Sequence, residues 1–182
     1  MAKVNPFFFS LACATAMMPG AAMAALPPGA MAPNVETQAV MAGKPFEFRL
    51  AEALRQGPVV LYFFPAAFTS GCTIEAHEFS DAAEQFHAAG ATVIGLSHDP
   101  IDKLSRFSVT ECRNKFAVGV ASSAIISSYK VKIPFLSMSN RTSYVIAPDG
   151  KILLTYSAFN PHEHVSRTLA AVKAWRTAHP KG

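Results

Sequence analysis

One segment limits what this chain can fold into more than any other: Val59-Val-Leu-Tyr-Phe-Phe64, then Pro65, a turn containing Gly71, and Cys72. Six apolar residues without alternation read as a central strand buried on both faces. From Thr73 onward, Ile74, Phe79, Ala82, Ala83 and Phe86 recur at helical spacing, with Gly90 as a cap beyond the end. A strand–turn–helix unit of this kind belongs in an open α/β sheet, where chemistry gathers just past the carboxyl ends of the strands. Cys72 falls there, in the first turn of the helix. Free amides and the helix dipole favour the thiolate at such a position.

The rest of the chain supplies partners for that unit. Phe46–Leu50 alternates as a short strand, and Ala51–Gln56 reads as a turn of helix leading to Gly57-Pro58. Thr92–Ser97 is a second buried strand. Asp99-Pro100 then opens a helix whose Leu104, Phe107 and Cys112 carry it to about Asn114. A short helix is expected over Ser123–Tyr129. Ser143–Ala147 and Lys151–Tyr156 flank Pro148-Asp149-Gly150, a hairpin signal. Pro161 to about His179 closes the chain as a helix with Val165, Leu169, Val172 and Trp175 on one face. The order implies an α/β fold with a mixed central sheet and helices on both faces.

The first residues are different in kind. Lys3, the apolar block Phe7–Met18, a break at Pro19-Gly20 and Ala22-Met-Ala24 have the form of a signal peptide. The apolar run is shorter than the roughly 18 residues a membrane span needs. Residues 1–24 are thus expected to be removed by a cut after Ala24, and the protein to be exported, to a bacterial periplasm. Ala25–Pro33, rich in Ala, Pro and Gly, reads as a mobile leader within an extension over 25–44, before a single domain over 45–182. The formal charge of the whole chain is +4, and only Lys3 of its charged residues lies in residues 1–24. So small an excess, with no basic run interleaved with aromatics, excludes nucleic acid as an expected partner. Of three cysteines, Cys13 leaves with the signal, so Cys72 and Cys112 remain to form a staple or a working pair.

Pro65-Ala-Ala-Phe-Thr69-Ser-Gly-Cys72 has the form Pro-x-x-x-Thr-x-x-Cys, and in it the chain resembles the peroxiredoxins. Gly71-Cys-Thr-Ile-Glu75, Gly95-Leu-Ser97 and Asn140-Arg141-Thr-Ser-Tyr-Val-Ile-Ala-Pro-Asp-Gly150 are similar to the bacterioferritin comigratory protein, or PrxQ, subfamily. The likeness runs from about Pro45 to Tyr156. It implies a thioredoxin-like fold and a thiol peroxidase acting on hydrogen peroxide and organic hydroperoxides. By the same resemblance, Cys72 is the peroxidatic thiol and Arg141 its fixed cation. Glu75, a carboxylate one turn away that by itself would oppose ionisation, is implied to hold Arg141.

The residues themselves fit such chemistry. Splitting an O–O bond requires charge on both oxygens to be stabilised, and the Thr69 hydroxyl with the Gly71 and Cys72 amides are candidate donors. Pro65 has no N–H and presents an apolar ring, a shield that does not compete for the thiolate. Many subfamily members carry a resolving cysteine five residues after the first, but His77 stands there. Another group places it on the next helix before a basic, apolar run, which Cys112-Arg-Asn-Lys-Phe-Ala-Val matches. The resemblance therefore implies that Cys112 closes an intramolecular disulfide, reopened by a thioredoxin-like or other dithiol protein. A core cysteine or a permanent structural disulfide are the competing readings. A monomer or weak homodimer is implied as well.

Other motifs carry less. Ser97-His98-Asp99 contains the residue types of a hydrolase relay, but neighbours in sequence cannot converge as that relay requires; a loop and helix cap is the expectation. His162-Glu-His164 lacks the i, i+4 spacing of metal ligands and reads as a solvated helix start. No metal, haem, flavin or nicotinamide motif is visible, so no cofactor is expected. A thioredoxin-like disulfide oxidoreductase would need Cys-x-x-Cys, and Thr69 and Glu75 stand three residues either side of Cys72. A holdase on the same scaffold remains a reading from another class.

Overall fold

Alternation within one strand decides the layering. The computed structural model describes residues 25–180, and its central strand β3, Val59–Phe63, is buried at every position. Val60 and Tyr62, with Phe64 beyond the strand, enter one apolar cluster; Val59, Leu61 and Phe63 enter the other. Each such side chain contributes roughly 1.5–3 kcal/mol by leaving water, so β3 ties both layers together.

Around it the elements run β1 Glu36–Met41, β2 Lys44–Arg49, α1 Leu50–Leu54, β3, α2 Ser70–Ala88, β4 Thr92–Ser97, α3 Ile101–Thr110 and β5 Ala117–Val120. They continue with α4 Ser123–Ser128, β6 Thr142–Ile146, β7 Ile152–Ser157 and α5 His164–Ala178. The sheet order is β2-β1-β5-β4-β3-β6-β7. β3, β4 and β5 are parallel, and the pairs toward both edges are antiparallel. Phe79 and Phe86 of α2, Leu104 and Phe107 of α3, and Val165 and Val172 of α5 fill the Tyr62 face. Leu50 and Leu54 of α1 and Ile126 of α4 fill the other. The expected mixed sheet with helices on both faces is what the chain forms, on a thioredoxin-like plan. Among the described residues no helix is long and apolar enough to cross a membrane.

Five local expectations change. β1 and β5 are additional strands: β1 is half exposed with weak alternation, and β5 is only four residues long. α3 ends at Thr110, because Glu111 caps it and Arg113 and Asn114 turn into the left-handed region at φ 48° and 61°. Cys112 thus lies in a turn just past the helix. The closing helix is preceded by a separate 3₁₀ turn, Pro161–Glu163, opened by the Asn160 side chain accepting from the His162 N–H.

Finally, the supposed mobile leader is docked. Gly29 N–H donates to the Ile152 carbonyl, Ala32 N–H to Gly150 and Ile152 N–H to Ala30, at 2.8–2.9 Å. The Thr155 hydroxyl holds the Leu26 carbonyl at 2.6 Å. Backbone groups satisfied along an open strand edge explain this better than side-chain composition does. The extension also supplies β1, so the sheet draws on residues before position 45. The proposed signal sequence lies outside the described residues.

Gly95 in β4 sits against the Tyr62 ring. A Cβ there would lie 2.5 Å from the ring carbon Cζ, and the ring is itself stacked on Phe79 at 4.5 Å. Gly95→Ala is expected to lower stability by about 1–3 kcal/mol through overpacking, read as a lower urea midpoint with an unchanged slope.

Candidate active site

The turn between β3 and α2 is held from three sides. Ser139 Oγ donates to the Phe64 carbonyl at 3.1 Å. The Ala67 N–H donates to Asp99 Oδ2 at 2.7 Å, and the same oxygen accepts from Ser97 Oγ at 2.7 Å. Lys103 reaches the other oxygen of Asp99 at 2.7 Å. Phe68 follows with φ 66°, a sparsely populated region for a bulky residue. Its ring lies edge-on to Phe107 at 5.2 Å, which keeps it there.

Asp99 was legible only as a cap. Its role as the anchor of the turn depends on the Ala67 amide, thirty-two residues away in sequence. Burial acts to raise its carboxyl, but the hydrogen bonds from Lys103, Ala67 and Ser97 prevail and hold it below the usual carboxylate range.

Thr69 is the N-cap of α2, in an extended conformation, and Thr73 N–H makes the first helical bond back to its carbonyl. The amides of Ser70, Gly71 and Cys72 therefore precede the hydrogen-bonded ladder. The Thr69 hydroxyl donates to the Ala66 carbonyl at 2.9 Å, so in this conformation it offers a lone pair rather than the proton the sequence suggested. Pro65 is half-buried in the same turn.

Cys72 is 2% exposed, and Arg141, at the start of β6, points Nη2 at its sulfur from 3.5 Å. Nη1 of the same guanidinium donates to Glu75 Oε2, and Nε donates to the Phe159 carbonyl at 3.2 Å. Three directions of contact fix the plane of the guanidinium, which a lysine could not imitate. The clearance is small: a Cβ on Gly71 would lie 3.0 Å from Arg141 Nη2. Glu75 has no exposed surface. Burial pushes its carboxyl up to about 8, while Arg141 pulls the other way.

Sequence reasoning missed the next residue entirely. His164 was expected at a solvated helix start, yet it is fully buried. Its Nδ1 lies 2.8 Å from Ser143 Oγ and 3.6 Å from Glu75 Oε1, and Nε2 lies 3.1 Å from the Ala158 carbonyl. Burial pushes its imidazole down to about 4. The spacing of Val165, Leu169 and Val172 was the available signal, since it turns position 164 toward the same core. His162 of the same motif is exposed and pairs with Glu78 at 2.6 Å.

Cys112 is fully buried in the same apolar cluster as Cys72, and both thiols are free. Burial, then the Glu111 carboxylate, pushes the Cys112 thiol well above its ordinary value. The turn that carries it is laid along α2 by three side-chain pairs. His77 meets Glu111 at 2.9 Å, Asp81 meets Arg113 at 2.7 Å and Glu84 meets Lys115 at 3.0 Å. His77, at the position where many resolving cysteines stand, thus helps to seat the turn beside Cys112.

The geometry joins a nucleophile, a fixed cation and a set of free amides at one helix start. Comparison with known proteins agrees with that chemistry. The profile of the AhpC/TSA family matches residues 28–155. A Mycobacterium tuberculosis chain bearing the name peroxiredoxin is 35% identical over 133 residues, covering 71% of this chain and 86% of that one. Peroxiredoxin Bcp of Escherichia coli is 31% identical over 112 residues, 58% of this chain and 72% of its own. The crystal structure of peroxidoxin BcpB from Mycobacterium tuberculosis superposes with a TM-score of 0.73 at 32% identity, covering 81% of this chain and 96% of that one.

Removing the Asp99 anchor tests how the turn is held. Asp99→Ala is expected to slow oxidation of Cys72 by peroxide about ten- to hundred-fold through misplacement alone, measured by stopped-flow fluorescence. A depressed folded pKa contributes stability above the unfolded carboxylate value of about 4 and loses it as pH falls through the folded value. The variant should accordingly show a shallower acid limb of stability below that pH than the parent.

Proposed function

Because the chain belongs to the AhpC/TSA family and is a thiol peroxidase, we propose that it works through Cys72 as peroxidatic and Cys112 as resolving cysteine. The observation that carries this reading is the Arg141 guanidinium, aimed at the Cys72 sulfur and held by Glu75. The thiolate attacks the distal oxygen of a hydroperoxide. An S–O bond forms, the O–O bond breaks, and the departing oxygen takes a proton to leave as water or an alcohol. Arg141 and the amides at the helix start face the charge that builds on the oxygens. Pro65 closes the turn on the apolar side. The Thr69 lone pair accepts the hydrogen of the incoming hydroperoxide.

The product at Cys72 is a sulfenic acid. The Cys112 sulfur then attacks the Cys72 sulfur, an S–S bond forms, and the hydroxyl leaves as water. A disulfide requires the two Cα atoms within about 7 Å, and in this reading both buried thiols leave their seats to form it. At Cys112 the release is inexpensive. The turn is held by contacts of solvent-exposed side chains, which water and salt screen. It also contains two consecutive non-glycine residues in the left-handed region, a conformation that costs free energy in the seated form. A dithiol protein of the thioredoxin type then reduces the disulfide by exchange.

Treatment of the reduced protein with one equivalent of hydrogen peroxide, followed by peptide mass spectrometry, distinguishes the roles. The expected product links Cys72 to Cys112. Cys72→Ser should abolish consumption of peroxide. Cys112→Ser should retain rapid first oxidation but stop at the sulfenic acid, with turnover by thioredoxin lost; undiminished turnover would remove Cys112 from the cycle.

Export completes the reading, on the strength of the basic, apolar and Ala22-Met-Ala24 segments of the leader. Amino-terminal sequencing of protein recovered from the source cells should begin at Ala25. A start at the initiating methionine would place it inside the cell.

A further inference from the structure

Glu75 and His164 face each other in the interior, with neither side chain exposed to water. Arg141 takes Oε2 of Glu75, but Oε1 is buried without a hydrogen-bond partner. His164 Nδ1 lies across from it at 3.6 Å. The ring's other nitrogen is committed: the Ala158 carbonyl can only accept, so Nε2 carries a hydrogen. While Ser143 donates to a neutral ring, an ionised Oε1 is left buried and unpaired unless one more proton sits on Oε1 or on Nδ1. With that proton on Nδ1, Ser143 Oγ accepts from it at 2.8 Å; with it on Oε1, Ser143 donates to the ring.

Charge arithmetic says when the proton is needed. A Cys72 thiolate, the Arg141 cation and a Glu75 carboxylate leave one uncompensated negative charge in a buried site, a costly arrangement. One proton on the Glu75–His164 pair returns the cluster to neutrality. A protonated Cys72 with an ionised Glu75 and a neutral His164 has the same number of protons and the same charge. We infer that His164 is a positioning residue whose pairing with Glu75 stores one proton while Cys72 is a thiolate, so that the nucleophile ionises inside a neutral cluster.

The surroundings of the pair are consistent with this. Arg141 just before β6 and Ser143 within it face the pair, as do Cys72 and Glu78 from α2. Tyr156 of β7 lies edge-on to the imidazole at 4.7 Å. Glu163 of the 3₁₀ turn and Arg167 of α5 engage each other and Tyr156 on the solvent side. Burial raises Glu75 to about 8 and lowers His164 to about 4, so desolvation disfavours a charge on either group. The same ring supports the Arg141 seat: His164 donates to Ala158, and Arg141 to the adjacent Phe159 carbonyl.

The inference rests on Cys72 being the peroxidatic thiol, and the experiment separates the two. Sulfenylation of Cys72 in the parent protein, trapped with a dimedone probe, tests that premise alone. His164→Leu keeps the bulk and removes both nitrogens. It should raise the pH midpoint of the 240 nm thiolate absorbance by about one unit and slow oxidation at pH 7 about ten-fold, with the rate recovered at higher pH. Adding Glu75→Gln, which replaces the carboxylate by a neutral side chain, should restore the midpoint. A folded His164→Leu protein with the parent's midpoint and rate overturns the inference. An independent reading needs no change at His164: the carboxyl ¹³C signal of Glu75 in the parent and in Cys72→Ser, at a pH where the parent absorbs as thiolate. The carboxyl should be protonated, or the ring doubly so, in the parent only; identical states in both proteins overturn the proposal.

Discussion

The pair formed by Glu75 and Arg141 is the interaction on which the rest of the site depends. It joins the second turn of α2 to the start of β6, two elements that approach only because β3 and β6 are neighbours in the sheet. A buried ion pair of this kind contributes little net stability, because desolvation offsets much of its attraction, yet removing one partner is costly. Its value is directional. With Oε2 holding Nη1, and the Phe159 carbonyl holding Nε, the remaining arm of the guanidinium has a single orientation, toward the Cys72 sulfur. Catalysis by fixed charge requires that the charge not rotate when the substrate arrives.

Much of this was legible in the chain. The uninterrupted apolar run of β3 and the helical spacing after Thr73 placed Cys72 at a helix start, as observed. Arg141 was reached through resemblance rather than through any local pattern, because nothing in one sequence says which cation will meet a thiol sixty-nine residues away. Three features escaped for a shared physical reason. β1 is identified by its antiparallel pairing with β2 and β5, not by its own alternation. Asp99 matters for an amide on another element. His164 was misread because a histidine beside exposed charges looks solvated until the helix face that carries it is known. In each case the decisive contact is long-range, while the sequence signal is local.

The two cysteines illustrate how one chain can prepare a single reactive group. Cys72 and Cys112 share an apolar cluster and are nearly equally buried, yet their surroundings differ. Cys72 has a cation and open amides beside it. At Cys112 burial first, and then the neighbouring Glu111 carboxylate, favours the thiol. Reactivity is thus assigned by a few polar contacts within an otherwise uniform core.

The short pairing of Gly29, Ala30 and Ala32 with the start of β7 has a consequence for solubility. A seven-stranded sheet with open edges presents unpaired backbone groups that another chain can extend. Here the two edges are guarded by different means. On β7, the residues around Met31 occupy the place where an intruding strand would begin. On β2, Lys44, Pro45, Glu47 and Arg49 put charges and a missing amide along the rim. Both devices disfavour extension of the sheet by another chain at the positions they cover.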